Sequence, residues 1–295
     1  SKDYIRSTKL SVSRTSGIST AASGLTTSKY YGTRIEDREI SLNVPDVVKV
    51  ISVYESTNTS APVLDKLTFV SGLGLDVNTF LGEKLVGEDS RAIAQLVTRS
   101  SATEIEFVYL NSNQFEVGEK VTFKQSNIQA NILTITRGSY INRTNNYTLD
   151  KGHRDQYCDY SRIVRTQGGP IPSKQLMIIY DHYRVSAGST FGDVFTADSY
   201  TSDRYTNDIP TLKNNIRATD VIDFRPRVAD FTSTTSSPFA FSSREYDSTY
   251  RYVIAPDESS LMGYKYYLPR TDKVVINKLG QVSVIKGTSS DNPKA

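Results

Sequence analysis

The sequence predicts a mainly β protein: a small repeat-containing β-barrel or sandwich domain beside a larger β-sandwich-like domain, with few helices. Three observations carry this expectation. β-branched runs bounded by turn residues recur along the chain. A strand–turn–strand unit occurs twice. The composition is rich in Ser, Thr and Tyr and poor in Met, with 19 Tyr, 2 Met and no Trp. Tyr suits strands and interfaces because its ring can be buried while its hydroxyl stays wet.

Residues 1–34 scatter isolated apolar positions (Ile5, Leu10, Val12, Ile18, Leu25) among Ser, Thr, Gly and basic residues. No helical period persists, so the segment reads as an extended arm or linker. It is either a tether ordered by contacts or a strand added to a neighbouring subunit. Residues 35–75 read as strands packing with the larger domain. Ile35, Ile40, Leu42 and Val44 lead to Pro45, and 47–54 is a β-branched strand closed by Glu55-Ser56-Thr57-Asn58. A second strand, 67–70, stops at Ser71-Gly72.

The repeat occupies 76–137, read as a small β domain. Phe80-Leu81-Gly82-Glu83-Lys84-Leu85 is echoed by Phe115-Glu116-Val117-Gly118-Glu119-Lys120-Val121, with the glycines 36 positions apart (118 − 82). At that offset Ser90 meets Ser126, Ala94 meets Ala130, Leu96 meets Ile132 and Val97 meets Leu133. Gly permits the tight turn. Glu and Lys are expected to stay solvated while Phe and the aliphatics face inward. Residues 105–110 supply a further strand between the copies. Two like strand–turn–strand units suit a small barrel or sandwich.

Residues 138–287 read as the larger β domain. A Tyr/Asn/Asp-rich passage at 139–165 precedes a buried strand at 175–180, and Pro residues punctuate the remainder. Residues 264–268 and 274–278 read as paired strands. Asn277-Lys278-Leu279-Gly280 forms a short loop into a hairpin strand at 282–285. The best helical window is 214–222. Residues 288–295 read as a tail. The chain starts without Met and reads as mid-protein, so a longer parent is expected.

Charge excludes some functions. The 35 basic and 32 acidic residues are interspersed, giving a net +3 and no patch suited to nucleic acid. No stretch approaches the roughly 18–20 apolar residues of a membrane span. The single cysteine, Cys158, cannot form an intrachain disulfide and points to assembly in a reducing cytoplasm.

Chemistry is sparse in the sequence. His153 and His182 are the two histidines. His153 lies five residues before Cys158, and on one strand an odd spacing sends side chains to opposite faces. A Cys/His nucleophile is therefore not expected, nor is a zinc site, which needs more ligands at closer spacing. His182 reads as a strand-end residue bonded to a neighbour. The carboxylate pairs Asp220/Asp223, Asp155/Asp159 and Asp257/Glu258 are of the kind glycosidases use, yet 32 acidic residues make such pairs inevitable. Asp220, Asp223, Arg225 and Arg227 are instead assigned to structural bracing through Asp–Arg forks. No catalytic, cofactor-binding or metal residue is assigned, and no phosphate-binding glycine loop or Gly-x-Ser-x-Gly elbow occurs.

Several stretches carry a resemblance. These are 147–160 (Tyr-Thr-Leu-Asp-Lys-Gly-His-Arg-Asp-Gln-Tyr-Cys-Asp-Tyr), 176–183, Phe191-Gly192-Asp193-Val194-Phe195, Asp223-Phe224-Arg225-Pro226-Arg227-Val228, Ser236-Ser237-Pro238-Phe239 and Glu258-Ser259-Ser260-Leu261. Over about two thirds of its length the chain resembles large virion structural proteins of marine and cyanobacterial tailed phages. These share a conserved domain of unassigned function. The Phe-x-x-Gly-Glu unit and Pro45-Asp46-Val47-Val48-Lys49-Val50 are similar to repeats in the same proteins. Cys158 departs from the pattern, which commonly has an aromatic there. The resemblance implies a non-enzymatic tail, baseplate or fibre-connecting protein located in the virion. Its partners would be other tail proteins and copies of itself, in a trimer or ring. It brings no catalytic residues. A receptor- or carbohydrate-binding module, or a tail-associated glycan hydrolase, are the alternatives.

Overall fold

The computed structural model describes residues 2–12, 34–185, 200, 209, 211–212, 215–228, 257, 259, 261, 263, 266 and 268–294. Residues 13–33 of the predicted arm, the stretches at 191–195 and 236–239, and three members of the predicted 264–268 strand fall outside them. The chain is mainly β. It divides into a unit of residues 1–253 and a unit of residues 254–295.

In chain order the elements of the first unit are β1 (Lys2–Val12), β2 (Glu39–Ser41), β3 (Val47–Ser56), β4 (Asp65–Phe69), α1 (Leu75–Asn78), β5 (Lys84–Gly87), β6 (Ile93–Arg99), β7 (Glu104–Tyr109), β8 (Lys120–Phe123), β9 (Gln129–Thr136), β10 (Tyr140–Asn142), β11 (Tyr147–Asp150), β12 (Arg162–Arg165) and β13 (Leu176–Val185). Sheet A runs β1-β13-β3-β10 and sheet B runs β11-β12-β2. Strands β4-β7-β6-β5-β8-β9 close into a barrel. Its pairings are all antiparallel.

β13 is an interior strand of sheet A, buried on both faces along its apolar run 176–180. Leu176, Ile178 and Tyr180 join Leu10, Val12, Ile40, Leu42, Val53 and Ile163 in the core associated with sheets A and B. Met177 and Ile179 face the other way, where Tyr54, Leu64, Val97 and Val108 bring the barrel against sheet A. Burying one such side chain contributes about 1.5–3 kcal/mol.

The predicted repeat is the barrel's construction rule. β5 and β8, and likewise β6 and β9, start 36 positions apart (120 − 84 and 129 − 93). Ala94, Leu96, Ala130 and Ile132 point inward with Leu67, Phe69, Leu85, Phe107, Phe115, Val121 and Phe123. The backbone bonds repeat as well: Gly82 N–H donates to Leu96 C=O at 2.8 Å and Gly118 N–H to Ile132 C=O at 2.9 Å. Both glycines have positive φ, 76° and 88°.

The glutamates correct the sequence reading. Glu83 and Glu119 are not solvated: they are 1% and 4% exposed. Each carboxylate crosses to the other copy. Glu83 accepts from its own turn at Phe80 N–H (2.8 Å), and from Gln125 N–H (3.0 Å), Ser126 N–H (3.0 Å) and Ser126 Oγ–H (3.1 Å) in the second copy. Glu119 accepts from Glu116 N–H (2.6 Å), and from Ser90 N–H (3.1 Å) and Ser90 Oγ–H (2.9 Å) in the first. Such a carboxylate is buried because its lone pairs are filled by fixed donors.

Other boundaries also shift. The opening of the predicted arm is β1, paired antiparallel with β13 of its own chain. Ser7, at φ 55°, forms the irregularity that breaks its register. That kink turns the strand's alternation and hides it from a periodicity reading. β4, expected with the larger domain, is a barrel strand. The predicted larger domain is discontinuous, because sheet A also draws on 2–12 and 47–56. The window 214–222 is no α-helix over its described residues: Asn215 lies in a 3-10 turn, and Thr211 and Arg217 bridge across it. The four-residue α1 has no counterpart in the sequence reading. No helix among the described residues is long and apolar enough to cross a membrane.

The second unit contains the expected hairpin, β14 (Lys273–Ile276) and β15 (Val282–Ile285), closed by Gly280 at φ 77°. Of the predicted partner strand 264–268, the described Tyr266 and Leu268 are not in a strand. The predicted tail is anchored at Ser290, whose N–H donates to Pro269 C=O at 3.1 Å.

The crossed carboxylates make a symmetric expectation. Glu83→Gln and Glu119→Gln should each lower stability by about 1.5–3 kcal/mol, the range for hydrogen bonds to a charged group. Urea unfolding of the two variants checks this. A cost for one glutamate and none for the other would contradict their equivalence.

Candidate functional site

The densest polar cluster gathers three chain segments. Asp46, at φ 57°, sits just ahead of β3. His153 and Cys158 face each other in an antiparallel bridge, and Cys158 also bridges Arg227 in parallel. Gly152 makes the reversal possible. Its φ is 77°, and a Cβ there would lie 2.2 Å from Asp159 C=O. Cys158 N–H donates to Pro226 C=O at 2.9 Å, and Cys158 C=O accepts from Val228 N–H at 3.0 Å, so 226–228 runs as a short strand beside it.

The parity argument against a His153–Cys158 neighbourhood therefore fails. It holds within one strand, whereas here the chain turns back between the two residues.

Arg227 fills the middle, 2% exposed. Its Nε–H donates to Asp46 Oδ2, its Nη2–H to Asp223 Oδ2 at 2.8 Å, and its Nη1–H to Arg225 C=O at 3.2 Å. Arg225 grips Asp223 in a fork at 2.9 and 3.0 Å and donates to Arg154 C=O at 2.9 Å. His153 Nε2 lies 3.1 Å from Asp46 Oδ1. Asp150 extends the array, accepting from Arg154 at 3.0 Å and Arg162 at 2.9 Å.

Of the four residues predicted to brace, Asp223, Arg225 and Arg227 are brought together. Asp220 is exposed on the preceding turn and accepts from Thr219 at 3.2 Å. The second carboxylate on Arg227 is Asp46, contributed from 181 residues earlier (227 − 46). Asp46 carries only a weak signal in the sequence, its place in the turn-forming pair Pro45-Asp46.

The electrostatics suit a brace and not a reactive centre. Burial works to raise the Asp223 carboxyl, but the bonds and charges of Arg225 and Arg227 outweigh it and hold it at about 2. Burial pushes the Cys158 thiol up to about 11, against the opposing pull of Arg227. A nucleophilic cysteine needs a lowered pKa and solvent access. Cys158 has neither, being fully buried.

Asp46, His153 and Cys158 offer ligand atoms within 4.8 Å of one another. A dication would meet a guanidinium already on Asp46 and a thiol held protonated, so the donor set does not fit one.

Other candidates have separate fates. Burial, aided by the Arg184 charge, pushes His182 down to about 4, and its Nδ1 lies 3.4 Å from Thr8 Oγ1. Asp159 is buried and accepts from Tyr160 N–H at 2.9 Å, whereas Asp155 is exposed. Asp257 is exposed, and Glu258 lies outside the described residues. A groove of about 300 Å³ is lined by Val48, Lys49, Val50, Thr144, Tyr147, Thr148, Leu149 and Ile163, with no carboxylate among them.

A second hub carries no signal in the sequence. Asp181, 1% exposed, accepts from Ser7 N–H (2.7 Å), Gln95 Nε2–H (3.2 Å) and Tyr4 Oη–H (3.1 Å), joining β1, β13 and the barrel. Comparison of the chain with models of protein families, with curated proteins and with solved structures finds no match.

Removing the central cation should be severe. Arg227→Met leaves two buried carboxylates without it and is expected to cost about 3–5 kcal/mol, whereas Asp220→Asn at the exposed turn should change stability by less than about 0.5 kcal/mol. Urea midpoints of the two variants decide.

The pH dependence has two windows. A folded pKa below the unfolded one gives stability that is complete above the unfolded pKa and lost as pH falls through the folded one. For His182 that window runs from about 6.5 down to about 4. For Asp223 it runs from about 3.9 down to about 2. The Asp223 contribution is roughly 2 kcal/mol. Stability measured against pH should have a shallower upper slope in His182→Gln and a shallower lower slope in Asp223→Asn, the remainder of the lower slope coming from groups such as Asp150, also held at about 2.

Proposed function

We propose that this chain is a structural component of a tailed bacteriophage virion, a tail, baseplate or fibre-connecting protein that works through contacts with other proteins and with its own copies. It is assembled in the bacterial host cytoplasm and performs no catalysis. One observation carries the non-enzymatic part. Among the described residues, the cluster that gathers Asp46, His153, Cys158, Asp223 and Arg227 has its charges paired internally, with Arg227 and Cys158 buried and Asp46 and Asp223 paired to guanidinium.

The virion assignment rests on the resemblance of the sequence stretches, several of which build this brace. The stretch 147–160 supplies Asp150, His153 and Cys158, and the stretch 223–228 supplies Asp223, Arg225 and Arg227. What the resembling pattern encodes is thus a scaffold of paired charges.

A glycan-binding module is the second reading, and the groove beside Tyr147 and Lys49 favours it. Its lining offers a sugar the Thr144 and Thr148 hydroxyls, beside a largely buried Tyr147 ring and a Lys49 ammonium 3.4 Å from Asp181.

Locating the chain in a density map of the whole particle tests the first reading, with a position among tail or baseplate proteins expected. Its absence from intact particles would overturn that reading. Incubation with host polysaccharide should leave viscosity unchanged, and a fall would restore the hydrolase. Binding on a glycan array that Tyr147→Ala abolishes would favour the module.

A further inference from the structure

The barrel's internal two-fold has one face covered and its counterpart open. β6 pairs with β7 as Leu96↔Phe107 and Thr98↔Glu106, with an irregularity at Val97. β9 pairs with β4 as Ile132↔Phe69 and Thr134↔Thr68, with the same irregularity at Leu133. The two-fold therefore relates Val97 to Leu133, an offset of 36 (133 − 97), and Val108 to Val70, an offset of 38 (107 − 69 for the paired phenylalanines).

Their surroundings differ sharply. Val97 and Val108 are 3% and 1% exposed, packed with Tyr54, Met177 and Ile179 of sheet A. Leu133 and Val70 are 55% and 52% exposed. Two aliphatic side chains placed where their equivalents dock a sheet form a small surface of the kind that another β surface covers.

The polar residues follow the same plan with one change. In the covered face Gln95 donates to Ser7 Oγ at 3.0 Å, and Lys9 reaches Thr98 at 2.6 Å and Glu106 at 3.2 Å. In the open face Asn131 replaces Gln95 and Thr134 replaces Thr98, preserving amide and hydroxyl. Thr68 replaces Glu106, so the charge is gone. The charged neighbours are paired within the chain: Lys66 on β4 with Glu104 at 2.9 Å, and Lys120, cross-strand from Asn131 on β8, with Glu88 at 2.9 Å.

The covered face needs a partner that brings a cation; the open one does not. A face whose bordering charges are already paired can meet a copy of itself without opposing unpaired like charges, the requirement of an isologous two-fold contact.

We infer that the open face, Thr68, Val70, Asn131, Leu133 and Thr134, is a self-association surface occupied by the same face of a second copy of this chain. The inference rests on the self-contact part of the proposed function and gives it a location.

Sedimentation velocity of the full chain tests it. The wild type should sediment as a dimer or a multiple of one. Val70→Asp/Leu133→Asp should run at half that mass, with self-affinity weakened by about tenfold or more. Its near-UV circular dichroism should be unchanged, since both positions are exposed. Asn131→Cys should give a disulfide-linked dimer on mild oxidation, while buried Cys158 in the wild type gives none.

A wild type monomeric at high micromolar concentration overturns the inference. So does an oligomer that survives the double substitution, or one whose other face is crosslinked instead. If the chain is monomeric yet is found in tail density, this surface fails and the virion role stands. If it dimerises through this face but is absent from particles, the reverse holds.

Discussion

A guanidinium taken out of water needs carboxylates on it, and the placement of Arg227 ties much of this architecture to that need. Arg227 draws Asp46 from the lead-in to β3 and Asp223 from its own segment, and it bridges Cys158, which in turn bridges His153. The two arginines and two aspartates balance in charge, so the cluster can stay dry. Desolvating them is costly, and hydrophobic side chains of the same volume could be as stable. What the ions add is placement: a fork of fixed geometry admits few arrangements of the three segments it joins.

A second constraint acts at sheet A. β13 has no solvent face to spare, because one side meets the sheet B core and the other meets the barrel. The polar group it must carry across, Asp181, accepts from a backbone amide at the Ser7 kink, a barrel amide of Gln95 and the Tyr4 hydroxyl, and the Lys49 ammonium lies 3.4 Å from it. The irregularity in β1 and the Lys49 ammonium on β3 together make a charged residue tolerable in the interior of the sheet.

Much of this is legible in the residues. Period-two alternation and β-branched runs locate β3, β4, β7 and β13, because side-chain direction in a strand is a local property. The 36-residue repeat reveals the barrel's two halves, since equivalent positions face equivalent surroundings. Burial of Glu83 and Glu119 is not legible. Besides a donor in its own turn, each takes donors from the other copy, and nothing within a Gly-Glu-Lys turn encodes a partner 29 or 43 residues away. The Asp223–Arg225–Arg227 fork is visible because its members are close in sequence. Asp46 is hidden by distance along the chain. The His153–Cys158 bridge escapes a parity argument because the chain reverses between the two residues.

The route by which β1 finds its place has a cost during synthesis. Ser7 reaches Asp181 across 174 residues. A ribosome adding about 5–20 residues per second takes on the order of ten to thirty-five seconds to deliver that partner. For that interval a nascent strand bearing Tyr4, Ile5 and Leu10 has no partner to pair with. Arg6 and Lys9, set among those apolar positions, are the kind of residues that discourage such a segment from pairing with a neighbouring nascent chain.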